Sequence, residues 1–110
     1  MGRRVTWPLL RGQVVRANLG LDEPKLLVVV SNNRRNQHLP QVLAARLTTT
    51  AKPALPSIVE LAPPEVFTGR VVCDDILEVY ENEVLDVPGA MSPRAMAAIN
   101  VGLKAALDLR

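Results

Sequence analysis

At 110 residues the chain has the length of one domain, enough to bury a core without disulfide or metal staples. A single cysteine, Cys73, and a single histidine, His38, exclude a disulfide framework, a multi-cysteine zinc site and a His–His acid/base pair, and three aromatics leave no row of base-stacking platforms. Net charge is +2 but unevenly placed: residues 1–59 carry nine Lys/Arg against two acids (+7) and residues 60–110 four against nine (−5), so the basic half suits a polyanion unless the charges intermingle on folding.

The pattern along the chain predicts a single domain over residues 1–110. Residues 1–10 read as a loose arm, and their opening Met-Gly-Arg-Arg-Val-Thr fits an N-myristoylation pattern too short to carry weight. Residues 13–19 alternate apolar and polar, as a half-buried strand does. Gly20 to Pro24 form a turn, and the β-branched run 26–30 is a strand buried on both faces. Residues 31–36 read as a polar loop, with Pro40 barring a helix. Residues 41–48 are a third strand, residues 51–57 a proline-bearing loop, and residues 58–61 a short strand ended by Pro63 and Pro64. Residues 69–74 and 76–80 are two strands, or one strand with a bulge. The period then changes. Ser92 is an N-cap, Pro93 suits the first helical position, and Met96, Ile99, Leu103 and Leu107 make an apolar stripe on a helix over 92–109. Strands followed by one helix predict a mainly β fold, a small antiparallel barrel or curled sheet carrying a packed helix.

Several chemistries drop out. The sequence holds no P-loop and no Gly-x-Gly-x-x-Gly. Cys73 sits in an apolar strand, which makes it a buried thiol rather than the nucleophile of a Cys73–His38 dyad. Asp74 and Asp75 face opposite sides of a strand and do not share a metal. The longest apolar run is far below the ~20 residues of a membrane span, and no signal segment is evident, so a cytoplasmic location is expected. What remains is polar residues at strand ends: Lys25 before the buried strand, Ser31, Asn32 and Asn33 after it, and Thr48, Thr49 and Thr50 beside Arg46.

Five segments carry a resemblance. Leu10-Arg11-Gly12-Gln13-Val14-Val15 is similar to an Arg-Gly-Asp/Glu-Val/Ile opening strand. Lys25-Leu26-Leu27-Val28-Val29-Val30-Ser31-Asn32 is similar to an Arg-Pro-x-Leu-Val-Val-Ser-Asn block, and Leu47-Thr48-Thr49 to Pro-Leu-Thr-Ser. Gly69-Arg70-Val71-Val72-Cys73-Asp74-Asp75-Ile76 is similar to Ser-Val-Val-Leu-Cys-Asp-Gln-Ile, and Met91-Ser92-Pro93 opens a Leu-Ser-Pro-like helix. In this order, over residues 10–109, they resemble the MazF/PemK family, toxins of type II toxin–antitoxin pairs. Asn32-Asn33-Arg34-Arg35-Asn36 and Arg46-Leu47-Thr48-Thr49-Thr50 look like its actinobacterial members.

The resemblance implies an SH3-like small antiparallel barrel with a C-terminal helix, working as a homodimer. It implies a sequence-specific endoribonuclease that cleaves single-stranded RNA through its 2′-OH, without metal or cofactor, and a MazE-like antitoxin partner. The family's catalytic Arg and Thr/Ser fall on Lys25 and Thr48. Arg34, Arg35 and Arg46 are then candidates for flanking phosphates, Asn32, Asn33 and Asn36 for base edges, and Arg11, Thr49 and Lys52 complete the RNA-binding set. Each Asn also fits as a turn residue. The departures are Lys25 for Arg, Leu26 for Pro, Arg46 where Pro is common, and a first loop lacking Gly-Ser-Glu-Gln, with Glu23 standing in for its Glu. Two other functions remain open on the same fold: a CcdB-like gyrase poison, which the ending Leu107-Asp108-Leu109-Arg110 does not match, and a catalytically silent RNA-binding domain.

Overall fold

The computed structural model describes residues 5–110. The opening Met-Gly-Arg-Arg, the first four residues of the expected arm and of the acylation pattern, lies outside the described residues. In chain order the elements are β1 (Gln13–Ala17), β2 (Lys25–Val29), α1 (Asn33–His38), β3 (Gln41–Thr48), β4 (Ile58–Leu61), β5 (Gly69–Tyr80), β6 (Val84–Ala90) and α2 (Pro93–Leu107). A 3-10 turn, Glu81–Glu83, joins β5 to β6. The six strands form one antiparallel sheet in the order β4-β5-β3-β2-β1-β6. The expected closure into a barrel is corrected: β4 and β6 end the order unpaired with each other, so the sheet is open.

Both faces of the sheet are covered, which is why the run in β2 is uniformly apolar. Val14, Val28, Ala45, Leu47, Val59, Val71 and Cys73 pack on one face beneath Met91, Ala95 and Ile99. Val15, Ala17, Leu27, Val29, Val42, Ala44, Val79 and Val84 form a second core with Leu9. Leu9 is fully buried, and Val5 and Trp7 pack against this core, so the described part of the arm is docked rather than loose.

Of four local features, three differ from the sequence reading and one, in β5, decides between its two alternatives. Residues 33–38 make one and a half turns of helix where a loop was expected. Asn32 caps α1, its Oδ1 accepting from the Arg35 N–H at 2.8 Å, and the helix ends at Leu39, just before Pro40 could break it. β6 was not anticipated, and it contains Pro88 and Gly89, residues that disfavour a strand. It is an edge strand whose register against β1 slips between Val14↔Gly89 and Arg16↔Asp86, and the slip takes up Pro88, which has no N–H for the ladder. β5 is one strand, with a bulge over Cys73, Asp74 and Asp75 between the pairs Arg46↔Val72 and Ala45↔Ile76. α2 begins as expected at Ser92, whose Oγ accepts from the Ala95 N–H at 3.0 Å, but stops at Leu107 where Asp108 turns left-handed. Its buried residues are Ala95, Ile99 and Gly102, whereas Leu107 is exposed.

Candidate active site

β2 and β3 run antiparallel with Leu27 opposite Arg46. Two residues along the same register, Lys25 falls opposite Thr48, and period-2 alternation puts both side chains on the same face. Thr48 is in turn paired with Arg70 of β5, and Arg70 with Glu60 of β4. Four adjacent strands therefore present a polar row, Lys25–Thr48–Arg70–Glu60, at one end of the sheet.

A groove of about 360 Å³ opens there, lined by Glu23, Lys25, Thr48, Thr49, Thr50 and Thr68, with Pro24, Leu26 and Leu47 as its apolar wall. Lys25 and Thr48 are half-buried, and Glu23, Thr49, Thr50 and Thr68 are exposed. The Thr48 Oγ1 accepts from the Thr50 N–H at 3.1 Å, so its own hydrogen is left to donate into the groove. Arg46 stands one register step deeper, its Nε 3.0 Å from Asp75 Oδ2. The N–H does not aim at that oxygen, so the contact is an ion pair without a formed hydrogen bond. Lys52 is half-buried in the loop after β3 and does not line the groove.

The other predicted residues gather at the opposite end of β2, seven residues from Lys25 to Asn32, which is roughly 20 Å of extended chain. Their side chains are engaged there in holding the molecule together. Arg11 donates from Nε to Val30 O at 2.7 Å and from Nη2 to Asn100 Oδ1 at 2.5 Å, and its N–H donates to Asn33 Oδ1 at 2.7 Å. Arg35 donates to Gln41 O at 3.0 Å and to Gln41 Oε1 at 2.6 Å. Asn36 is 1% exposed; it donates to Ser31 O at 3.1 Å and Leu9 O at 3.3 Å and accepts from Ser31 Oγ at 2.5 Å. Asn32 is the cap of α1, and Arg34 is exposed. The structure thus brings together Lys25, Thr48 and Thr49, with Arg46 beneath them, and separates Arg11 and residues 32–36 from them.

Sequence reasoning named Thr50 with its neighbours but did not single out Thr68 and Arg70. The signal for Arg70 was present, since a strand starting at Gly69 puts residue 70 beside the end of β3. Thr68 needed the β4–β5 connection, which the sequence does not position. Asp74 and Asp75 have separate partners, Ser57 Oγ at 2.9 Å and Arg46, as expected of residues not sharing a ligand. Among the described residues no group of three or more His, Cys, Asp or Glu side chains could hold a metal ion. Cys73 is fully buried, and its thiol is pushed up to about 11, first by burial and then by the charge of Asp74, so it is not a nucleophile at neutral pH. No helix among the described residues is long and apolar enough to cross a membrane.

An open antiparallel sheet with one packed C-terminal helix and a polar groove at the ends of its central strands defines a small α+β class. Residues 10–107 match the family described as PemK-like, MazF-like toxin of type II toxin-antitoxin system, and the chain belongs to that family. It is 42% identical over 100 residues to Endoribonuclease MazF1 of Mycobacterium bovis, covering 91% of this chain and 93% of that one. The same identity and coverage hold for Endoribonuclease MazF4 of Mycobacterium tuberculosis. The fold superposes with a TM-score of 0.86, at 41% identity over 93% of this chain and 97% of the other, on a mycobacterial endoribonuclease solved in complex with its cognate antitoxin.

Proposed function

We propose that this protein is the toxin of a type II toxin–antitoxin system and an endoribonuclease that cleaves single-stranded RNA, with Lys25 and Thr48 as its catalytic pair. The observation that carries the reading is the convergence of these two residues, from different strands, in one polar groove. Family membership and the mycobacterial relatives named as endoribonucleases support the activity.

The chemistry follows from what the groove contains. The ribose 2′-oxygen attacks its own 3′-phosphorus, the O2′–P bond forms and the P–O5′ bond breaks. A 2′,3′-cyclic phosphate and a 5′-OH result. The 2′-OH must lose a proton, the 5′-oxygen must gain one, and the charge developing on the non-bridging oxygens must be stabilised. Glu23 is the carboxylate lining the groove and takes the 2′-OH proton, and solvent water in the open groove gives a proton to the leaving 5′-oxygen. The Lys25 ammonium faces the non-bridging oxygens as a point charge, without the bidentate fork of an Arg. Thr48 donates its free hydroxyl hydrogen to the same oxygens. Thr49, in the groove, Arg46, beneath it, and Lys52, in the loop after β3, carry contacts to flanking nucleotides, and Arg34 offers an exposed charge farther along the surface. None of these steps calls for a metal. Preference for a base sequence is part of the reading, set by what lines the groove on either side of the Lys25–Thr48 pair. The toxin works as a homodimer, and its partner is an antitoxin that fills the groove.

The test is incubation of the purified protein with mixed-sequence single-stranded RNA in EDTA. Cleavage to cyclic-phosphate ends at recurrent sites is expected, and a single 2′-deoxynucleotide just 5′ of the scissile bond should abolish it. RNA bound and left intact would instead mark a silent RNA-binding domain. Light scattering at micromolar concentration should give twice the chain mass.

A further inference from the structure

The loop that carries Thr48 is gripped from one side by a residue to which no role attaches so far. Arg70 is paired with Thr48 across the β3–β5 ladder. Its Nη1 donates to Thr49 O at 3.2 Å and to Thr50 O at 3.4 Å, and its Nε donates to Glu60 Oε2 at 2.8 Å. The residue before it is Gly69, with φ +97, and a Cβ there would overlap the Thr48 carbonyl. The start of β5 therefore lies hard against the backbone of the three threonines. Thr48 itself is linked to this segment, since its Oγ1 accepts from the Thr50 N–H. The backbone turn that sets the Thr48 hydroxyl is thus held at both carbonyls after Thr48 by one guanidinium. That guanidinium is held by a carboxylate on the next strand.

We propose that Arg70, braced by Glu60, is a positioning residue that fixes the Thr48–Thr50 turn and so aims the Thr48 hydroxyl into the groove. The inference rests on the reading of Thr48 as catalytic. Arg70 is not itself among the residues lining the groove, so its action is through Thr48. The planar fork is what the task needs, because two carbonyls just after β3 and a carboxylate on β4 are bridged at once. A Lys in its place offers one point of attachment and cannot reach all three. A hydroxyl displaced by a fraction of an ångström still binds RNA but stabilises the transition state poorly, and misplacement of this kind costs up to about 10²-fold in rate.

Two measurements on Arg70→Ala, Arg70→Lys and Glu60→Gln test this. The first is amide hydrogen exchange at Thr50, read by NMR without RNA. The second is cleavage kinetics on a short oligoribonucleotide. Faster Thr50 exchange in Arg70→Ala is expected, with other β3 and β5 amides protected as in the wild type. With it, kcat should fall by about 10- to 10²-fold and KM by less than threefold. Arg70→Lys should recover part of both, and Glu60→Gln should show a weaker form of the Arg70→Ala effect. If Arg70→Ala does not fold, Arg70→Lys and Glu60→Gln carry the comparison. Unchanged Thr50 exchange and kcat in the folded variants would overturn the proposal. So would a rise in KM with unchanged kcat, which would make Arg70 an RNA-binding charge. A wild-type protein that fails to cut RNA, beside variants with faster Thr50 exchange, would sink the nuclease reading and uphold the clamp.

Discussion

At the scale of the residue, the division of labour between the two ends of β2 makes opposite forecasts. Lys25→Ala should keep the fold and lose about 10²–10³-fold in kcat, the usual cost of one transition-state donor. Thr48→Ala should lose a similar amount and Thr48→Ser much less, because the hydroxyl survives. Lys25→Arg should retain most of the rate, since the role is a charge on the non-bridging oxygens and a guanidinium supplies it. Single-turnover cleavage of one oligoribonucleotide measures all four, and full activity in Lys25→Ala would end the assignment. Asn36 should behave in the reverse manner. Removing its amide takes the side-chain donor from the Leu9 and Ser31 carbonyls, at about 1–3 kcal/mol, while Ser31 Oγ keeps the Leu43 N–H. Asn36→Ala should therefore lower the denaturation midpoint while the folded fraction cuts RNA at the wild-type rate. From sequence alone Asn36 reads equally as a base reader or a turn residue, because an amide serves both and only burial separates them.

At the scale of the element, the contact of α2 with the sheet depends on one missing side chain. A Cβ at Gly102 would lie 2.8 Å from Cys73 Sγ and 2.8 Å from Val59 Cγ2, both belonging to buried residues. Gly102→Ala gains about 1 kcal/mol of helix propensity, but overpacking costs about 1–3 kcal/mol, so a net destabilisation is expected. Cys73→Ala removes one of the two clashing atoms. The double variant should be more stable than the sum of the single changes by about 0.5–3 kcal/mol, measured by a urea double-mutant cycle. Strict additivity would show that the helix simply moves away. Cys73 also sets a pH limit. Its folded pKa, about 11, lies above the ordinary 9.0, so folding favours the neutral thiol. The resulting stability is whole below pH 9 and is lost as the pH climbs towards 11. The urea midpoint should fall across that window, and fall less in Cys73→Ala.

Most of these elements were legible in the sequence. β3 and β4 have the predicted ends, because apolar runs bounded by polar or proline residues mark both. α1 and β6 were not, for physical reasons. A six-residue helix has too few turns to show a period, and its capping asparagine is also a turn residue. β6 contains Pro88 and Gly89, and an edge position that tolerates them is a property of the sheet rather than of the segment. The barrel expectation came with the resemblance. Local pattern specifies strands but not whether the first and last in the order meet. At the site, Lys25 and Thr48 stood out as polar residues at the ends of two strands, and their proposed roles came with the resemblance. That the RNA-binding candidates divide between the two ends of β2 was not legible, because polar residues that bind a substrate and polar residues that tie loops together look alike in one dimension.

At the scale of the molecule, the two charged halves partly interleave. Arg16 donates to Asp86 at 2.8 and 3.2 Å, and that carboxylate raises the Arg16 pKa above its ordinary value, by hydrogen bond first and charge second. Arg46 pairs with Asp75 in the same sense, joining the basic half to the acidic one. Among the described residues, Lys25, Arg34, Arg35 and Lys52 have no carboxylate within ion-pair distance, so these four charges stay available to an anionic partner. An antitoxin segment that fills the groove should therefore be acidic. Its affinity should drop steeply between 50 mM and 500 mM salt, because exposed charges are screened. Calorimetry with the purified partner checks this, and an affinity indifferent to salt would point to an apolar contact instead.

The bond from Arg11 to Asn100 joins positions 89 apart in the chain, and β6, arriving at residue 84, completes a sheet begun at residue 13. On the ribosome, Glu23, Lys25, Thr48, Thr68 and Arg70 are all synthesised before any of that frame exists. A nascent chain of about eighty residues holds every part of the groove, yet β1 has a bare edge and Val14, Val28, Leu47 and Val71 have no helix over them. Such long-range closure comes late in folding. A protein built this way should gain a folded groove only once α2 has been made. A chain stopped at residue 83 should accordingly fail to fold cooperatively and leave RNA intact.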